Sequence, residues 1–301
     1  MRNAGYDINR SCGLISCGGI IAPVLPPSVG MIIFGVAGGV SITKLFLAGI
    51  VPGILMGLAI MLAWRWSIGR DNPGVEPRRN LAERLSETRK ALWALVMPVV
   101  VIGGLKIGAF TPTEAAVIAA VYSLFVGVFV YREIKLSELF GLMYRAAETT
   151  AVVMFLVAAA GVSAWLITTA NIPQQLADMV QPFMDNKIIL MAILMVIVLI
   201  VGTAMDFTPT VLILTPVLMP IVKQAGIDPV YFGVLFIMNN AIGLVTPPVG
   251  TVLNVVCGVA RVPMTGVIKG VVPFMVAQIA VLVLLVIFPQ IVLWPLAMMS
   301  R

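Results

Sequence analysis

Leu25-Pro26-Pro27-Ser28 interrupts an apolar stretch that covers residues 12–38. Proline lacks a backbone N–H and clashes with the carbonyl group four residues earlier, so two adjacent prolines end or unwind a helix. A second apolar stretch, residues 231–259, carries the same kind of interruption at Thr246-Pro247-Pro248. The sequence therefore predicts two helices that are each broken near the middle.

The two interruptions belong to a repeat with an offset of 221 residues, the separation of Pro26 from Pro247. Other glycine, proline and aspartate residues coincide at this offset: Gly5-Tyr6-Asp7 with Gly226-Ile227-Asp228, Gly49 with Gly270, and Pro52 with Pro273. Both copies read as a turn, a broken helix, a short link and an uninterrupted helix. A gapless match of this kind indicates one structural unit that occurs twice.

Composition shows where these helices lie. The 301 residues are 60% hydrophobic and only 11% charged, with a mean hydropathy of +1.09, whereas about a quarter of a soluble domain is charged. Residues 45–64 and 151–174 contain no charged side chain, and a run of about 20 apolar residues crosses a bilayer as a helix. We predict an all-α protein that crosses the membrane several times.

Further segments complete the predicted topology. Uninterrupted spans are expected at residues 45–66, 91–107, 113–131, 149–170 and 271–293. Two shorter apolar arms, residues 188–202 and 211–221, flank the polar tip Met205-Asp206-Phe207-Thr208-Pro209. Because each arm is too short to cross the bilayer, we predict a re-entrant hairpin, which is tolerated where protein or a water-filled cavity covers its tip.

The number of membrane crossings between the two copies gives them opposite orientations. Five crossings separate Asp7 from Asp228, since a hairpin adds none, and an odd number inverts the second copy. Inverted repeats are typical of secondary transporters. With the N-terminus in the cytoplasm, fourteen Lys and Arg residues lie inside and five outside, in agreement with the positive-inside rule. The excess of basic residues therefore indicates topology, and a nucleic-acid partner is not expected.

The repeat predicts four regions along the chain. Residues 1–66 form a first repeat, 67–90 a cytoplasmic amphipathic loop, 91–170 the scaffold spans, and 186–296 the second repeat with its hairpin. Only four residues precede Gly5, whereas a hairpin precedes the equivalent Gly226. We expect the first repeat to be incomplete here, lacking a matching hairpin on its N-terminal side.

The paired interruptions are the first candidate site. Unwound backbone exposes carbonyl oxygens that need partners at membrane depth, and paired breaks in inverted repeats mark ion and substrate sites. Carbonyls of Pro26, Pro27 and Pro247, with the hydroxyl groups of Ser28 and Thr246, are candidate Na⁺ ligands. The alternative is a pair of kinks that neighbouring helices stabilise.

The hairpin tip is the second candidate site. Asp206 and Thr208 form an oxygen-rich group suited to Na⁺ or a proton, because intramembrane acids are costly and commonly functional. Alternatively, Asp206 caps the second arm. Asn239 and Asn240, with Thr210, are candidates to line a substrate cavity; the two asparagines could equally hydrogen-bond between helices.

Enzymatic motifs are missing from the sequence. The chain has no histidine, no Gly-x-Ser-x-Gly and no Walker A loop, and Cys12, Cys17 and Cys257 lie in apolar stretches as packing residues. We therefore expect a transport protein and not an enzyme, with energy from an ion gradient or from another subunit.

Motifs over nearly the whole chain resemble the large, DctM-like permease (M) subunit of tripartite ATP-independent periplasmic (TRAP) transporters. In order they are Gly5-Tyr6-Asp7, Pro26-Pro27-Ser28, Leu47-Ala48-Gly49-Ile50-Val51-Pro52-Gly53, Thr111-Pro112-Thr113-Glu114-Ala115-Ala116, Met205-Asp206-Phe207-Thr208-Pro209 and Thr246-Pro247-Pro248-Val249-Gly250. The resemblance implies Na⁺-coupled import of organic acids, such as dicarboxylates or sugar acids, across the bacterial inner membrane. It also implies a small four-helix membrane (Q) subunit, a periplasmic solute-binding (P) subunit and an elevator-type motion.

The resemblance assigns ion sites by position. A second-copy site would use Asp206, Thr208 and the Thr246-Pro247-Pro248 turn, and a first-copy site the Pro26-Pro27-Ser28 turn. The family's first hairpin and the helices before it have no counterpart in this sequence. Two alternatives therefore stay open: an ion-coupled organic-anion carrier that needs no binding protein, and a truncated membrane remnant that transports nothing.

Overall fold

The computed structural model describes residues 1, 5–68 and 80–299. The α-helices of this part of the chain are α1 (Ile8–Gly19), α2 (Val29–Gly38), α3 (Ile42–Ile68), α4 (Leu81–Lys106), α5 (Pro112–Phe125), α6 (Leu139–Thr169), α7 (Ile172–Val180), α8 (Lys187–Ala204), α9 (Phe207–Gln224), α10 (Pro229–Gly243), α11 (Thr251–Ala260), α12 (Met264–Ile287) and α13 (Gln290–Met299). Among the described residues, seven helical segments are long and apolar enough to cross a membrane. The protein is therefore an all-α, multi-pass membrane protein, as predicted.

The described chain forms two compact units. One unit, Met1–Gly74 with Ala158–Arg301, contains both copies of the repeat, and the other is Val75–Val157. Within the second unit, the phenol groups of Tyr122 and Tyr131 donate hydrogen bonds to the Trp93 and Lys90 carbonyls at 2.8 and 2.7 Å. These bonds hold α5 and the π-helical turn that follows it (Val126–Val130) against α4.

The repeat predicted from the sequence is present in the structure. α1 and α10 begin 221 residues apart, and aspartates at the same offset cap them: Asp7 accepts a hydrogen bond from Arg10 N at 2.7 Å, and Asp228 from Tyr231 N at 2.9 Å. Gly5 and Gly226 both have positive φ, +79° and +62°, a conformation that costs glycine little. The Pro26–Pro27 and Pro247–Pro248 bonds are both cis.

The two copies run in opposite directions. Gln278 of α12 donates to the Met56 carbonyl of α3 at 3.1 Å, and Trp64 stacks on Phe274 with ring centroids 6.3 Å apart. Residue numbers thus rise along α3 as they fall along α12, which makes these equivalent helices antiparallel. The first half of each broken helix packs on the uninterrupted helix of the other copy, α1 on α12 and α10 on α3.

Aromatic packing fixes α2 on α10. The rings of Phe34, Phe232 and Phe236 lie with centroids 5.4 to 6.1 Å apart, and all three side chains are buried. Offset and tilted aromatic pairs add about 0.5–1.5 kcal/mol each beyond the apolar area they bury. This cluster joins the second half of one broken helix to the first half of the other.

Several predicted boundaries are wrong. Both hairpin arms are 18 residues long and apolar enough to cross a membrane, because only Met205 and Asp206 lie between the two helices and the threonines on either side are helical. α4 begins at Leu81 and passes through residue 90, so the expected amphipathic segment and the next span are one helix. The final span ends at Ile287, with α13 following. The rest of the predicted loop, residues 69–79, lies outside the described residues.

Candidate functional site

The hairpin tip is a single turn between α8 and α9. Asp206 is the N-cap of α9, and its carboxylate accepts a hydrogen bond from Phe207 N at 2.9 Å. The side chain is exposed, and the capping geometry, the alternative reading of this residue, is observed. Thr210 is buried and donates to the Asp206 carbonyl at 2.8 Å, while Thr208 is half-buried. Such a bond to the carbonyl four residues earlier gives the threonine hydroxyl group a partner within the helix.

The first proline break ends at the start of α2. Ser28 is buried, caps α2 by accepting a hydrogen bond from Met31 N at 3.3 Å, and donates to the Pro23 carbonyl. Two residues later, a Cβ at Gly30 would lie 2.5 Å from the Phe207 ring. The backbone that follows the first break therefore touches the hairpin tip.

The second proline break lies beside the other side of the hairpin. A Cβ at Gly243, the last residue of α10, would lie 2.7 Å from the Gly202 carbonyl carbon near the end of α8. Thr246 follows within the break, half-buried, and donates to the Ile242 carbonyl at 2.8 Å. Residues just before the second break and just after the first break thus flank the same tip.

Two asparagines connect α10 to the hairpin. The Asn240 amide donates to the Phe207 carbonyl at 3.0 Å, and the Asn239 amide donates to the Met195 carbonyl of α8. Both side chains are 0% exposed. Among the described residues, neither Oδ1 atom has a hydrogen-bond partner. The asparagines therefore form interhelical hydrogen bonds and retain acceptor oxygens in the interior.

Helix ends of both signs lie at the tip and at the two breaks. α8 ends and α9 begins at the tip, and the start of α2 and the end of α10 lie beside it. α1 ends before the first break, and α11 begins after the second with Gly250 as its N-cap residue. Helix N-termini carry partial positive charge and attract anions, whereas C-terminal carbonyls carry partial negative charge and attract cations. The arrangement can bind an anion and a cation near one another.

The residues that set the close approach were not singled out by the sequence pattern. Gly30, Gly202, Phe207 and Gly243 bring the hairpin to the two breaks, yet none was a candidate. A glycine within one turn of each proline break was the available signal, because glycine in membrane helices permits close backbone packing.

A substitution pair tests the contact between α2 and the tip. We expect Gly30→Ala to lower the thermal unfolding midpoint of the purified protein, because the added Cβ would lie 2.5 Å from the Phe207 ring and overpacking costs about 1–3 kcal/mol. Phe207→Ala in the same chain should recover most of that loss. If the two effects simply add, the side chains are not in contact.

An inverted repeat of broken helices around a helical hairpin defines a class, the multi-pass secondary-transport proteins. The family model of the tripartite ATP-independent periplasmic transporter, DctM component, matches residues 1–291, and the chain belongs to this family. It is a transport protein and not an enzyme. Membership implies partnership with a small membrane subunit and a periplasmic binding protein.

Curated relatives support the assignment along the whole chain. The 2,3-diketo-L-gulonate TRAP transporter large permease protein YiaN of Escherichia coli is 51% identical over 296 residues, which cover 98% of this chain and 70% of the relative. The sialic acid large permease protein SiaM of Vibrio cholerae is 37% identical, covering 96% and 68%. The C4-dicarboxylate protein DctM of Pseudomonas aeruginosa is 36% identical, covering 97% and 68%.

Proposed function

We propose that this chain is the transport subunit of a Na⁺-coupled secondary transporter that imports an organic acid delivered by a periplasmic binding protein. One observation carries the proposal: two proline breaks in antiparallel copies flank a single hairpin tip. Relatives are named for 2,3-diketo-L-gulonate, sialic acid and C4-dicarboxylates, which are all carboxylates. The proposed location is the bacterial inner membrane, with the N-terminus of this chain in the cytoplasm.

The proposed ion sites follow the two breaks. Backbone carbonyls of Pro26 and Pro27 with the Ser28 hydroxyl would hold one Na⁺, since Ser28 already lies buried against the break. Asp206 and Thr208 with the carbonyls of Thr246 and Pro247 would hold the second. Hard cations take oxygen ligands, and unwound helix ends in transporters supply them.

The proposed anion site uses the helix N-termini at the same place. α9 and α2 begin at the tip and beside it, and α11 begins after the second break, so a carboxylate between them would meet partial positive charge. Asn240 and Asn239, whose Oδ1 atoms are buried without a partner among the described residues, and Thr210 are proposed to line this site. An elevator-type motion of the hairpin and broken helices would carry the solute across.

The test is uptake of labelled sialic acid, C4-dicarboxylate or 2,3-diketo-L-gulonate into proteoliposomes that also contain the small membrane subunit, with binding protein added outside. We expect Asp206→Asn and Ser28→Ala each to reduce Na⁺ stimulation about tenfold, since losing a contact to a charged group costs about 1.5–3 kcal/mol. Asp228→Asn and Ser41→Ala are matched controls, because these side chains also cap helices, away from the tip.

Equal Na⁺ stimulation in all four variants would contradict the proposed ion sites. Uptake that proceeds at full rate without binding protein would favour the alternative, an ion-coupled organic-anion carrier that acts alone. Failure of the wild-type protein to take up any of the three solutes under a Na⁺ gradient would contradict the proposed transport activity.

A further inference from the structure

A buried glutamine joins the antiparallel helices α3 and α12. Gln278 of α12 is 0% exposed, and its amide donates to the Met56 carbonyl of α3 at 3.1 Å. Among the described residues, no other side-chain hydrogen bond connects these two helices. Further along the contact, the packing is aromatic, where Trp64 stacks on Phe274. The equivalent helices of the two copies are therefore tied by one polar side chain.

The repeat gives Gln278 no counterpart. The residue at the same repeat position of α3 is Gly57, which has no side chain to bond back to α12. Other features at this contact do occur in both copies, including the prolines within the helices, Pro52 and Pro273. The bond from Gln278 is therefore a property of the assembled pair and not of the repeated unit.

This bond satisfies only half of the amide group. The Oε1 atom of Gln278 is buried and has no hydrogen-bond partner among the described residues. One hydrogen bond contributes less to stability than an unpaired buried acceptor costs, and an apolar group of the same shape avoids that cost. Gln278 therefore lowers the stability of the fold relative to an apolar side chain, and a role other than stability has to explain it.

A role in register fits both the bond and its cost. Membrane helices associate through close packing and interhelical hydrogen bonds, without a hydrophobic driving force between them. Apolar surfaces can exchange one set of contacts for a similar set when two helices slide. A buried amide reaches its carbonyl at one register only, and single buried polar residues specify register in helix pairs at a cost in stability.

The register of α3 on α12 sets the positions of the two proline breaks. α1, which leads to the first break, packs on α12, and α10, which leads to the second break, packs on α3. A slide of α3 along α12 by one residue would displace one break from the other by about 1.5 Å. Because the two breaks flank a single hairpin tip, that displacement would disturb their arrangement around it.

We propose that Gln278 is a positioning residue, which fixes the register of the two copies and thereby holds the breaks on either side of the tip. Its expected effect on uptake rests on the proposed transport function. Its effects on stability and on register do not, and both can be measured without transport. Gln278 is not among the residues proposed to bind the solute or Na⁺.

Gln278→Met removes the amide and keeps the length of the side chain. We expect the thermal unfolding midpoint to rise by about 2 °C, because the unpaired acceptor is lost. Uptake in the proteoliposome assay should fall about tenfold, since groups misplaced by about 1 Å can cost up to a hundredfold in enzymes. A residue that only supported the fold would lower both quantities.

Gln175→Met is the matched control for both measurements. Gln175 of α7 is exposed and donates to the Ala170 carbonyl at 3.2 Å, so the same substitution removes an amide bond that water can replace. This variant should keep the wild-type unfolding midpoint and the wild-type rate of uptake.

Spin labels measure the register directly. In a chain whose three cysteines are replaced by alanine, labels at Leu62→Cys and Leu284→Cys occupy exposed positions of α3 and α12. Counted from the bond between Gln278 and Met56, these positions lie about 18 Å apart along the helix axes. Double electron–electron resonance should give one narrow distance distribution with Gln278. In Gln278→Met we expect a second population, shifted by one helical turn of about 5 Å.

Three results would each overturn the proposal: a lower unfolding midpoint for Gln278→Met, an unchanged rate of uptake, or an unchanged distance distribution. Wild-type protein that takes up no solute would contradict only the transport function. The unfolding midpoint and the distance distribution would then still decide whether Gln278 fixes the register.

Discussion

Gly243→Ala will destabilise the protein, although alanine is the better helix former. Replacing glycine in a helix normally gains about 1 kcal/mol. At this position the new Cβ would lie 2.7 Å from the Gly202 carbonyl carbon and 2.9 Å from its Cα. Because both contacts are with backbone atoms, no side chain can move aside, and α8 must separate from α10. We expect a net loss of about 2 kcal/mol, within the cost of overpacking, measured as a lower thermal unfolding midpoint in detergent.

Gly258→Ala is the control for that prediction. Gly258 lies near the end of α11 as Gly243 lies at the end of α10, and a Cβ added there meets no atom within 4 Å. This variant should unfold at the wild-type temperature or above it. If Gly243→Ala is as stable as Gly258→Ala, the hairpin does not pack on α10 as described.

Asn240→Leu will slow uptake by about threefold to tenfold in the proteoliposome assay. The buried amide donates to the Phe207 carbonyl at the hairpin tip, and leucine has similar volume but no donor. The loss of one hydrogen bond costs about 0.5–1.5 kcal/mol, and each 1.4 kcal/mol is a factor of about ten. The tip would then lose its connection to the helix that leads into the second proline break.

Asn254→Leu is the control, which measures the effect on uptake of losing a side-chain amide elsewhere in the protein. Asn254 also donates to a carbonyl, that of Val249 at 3.0 Å, but its side chain is exposed. Water can replace that bond, so uptake should change less than threefold, consistent with the small effects of most surface substitutions. A wild-type rate for Asn240→Leu would show that transport does not need the tip to be held by α10.

The breaks and caps could be predicted because proline, glycine and aspartate act on their own backbone. Each pair of adjacent prolines removes two neighbouring backbone donors, which interrupts a helix where the single prolines Pro52 and Pro273 do not. Asp7 and Asp228 accept from amides two or three residues away. These effects need no information from the rest of the fold, and the repeat offset confirmed their pairing.

Helix boundaries were misplaced in two ways. Polar residues beside the hairpin tip were predicted to be irregular although they are helical, and an apolar run was predicted to be one helix although a helix ends within it. Thr203 and Thr210 donate to carbonyls three or four residues earlier, so the polar tip needs only one turn outside a helix. The apolar run 271–293 concealed the end of α12. Phe288 precedes Pro289 and has φ −118° and ψ 74°, because a residue before proline avoids the helical region.

The roles of Asn239 and Asn240 could not be decided from the sequence. An amide on an apolar helix can bind a solute or a neighbouring carbonyl, and the partner of Asn239 lies 44 residues away.

The packing of each first half on the other copy has a consequence for biosynthesis. α1 packs its Gly13 backbone against Gly270 and Val271 of α12, about 250 residues later, which a ribosome adds in roughly 12 to 50 s. During that interval α1 has been synthesised but the surface on which it packs has not. The packing of α1 therefore waits for α12, and a chain that stops before residue 264 lacks that surface.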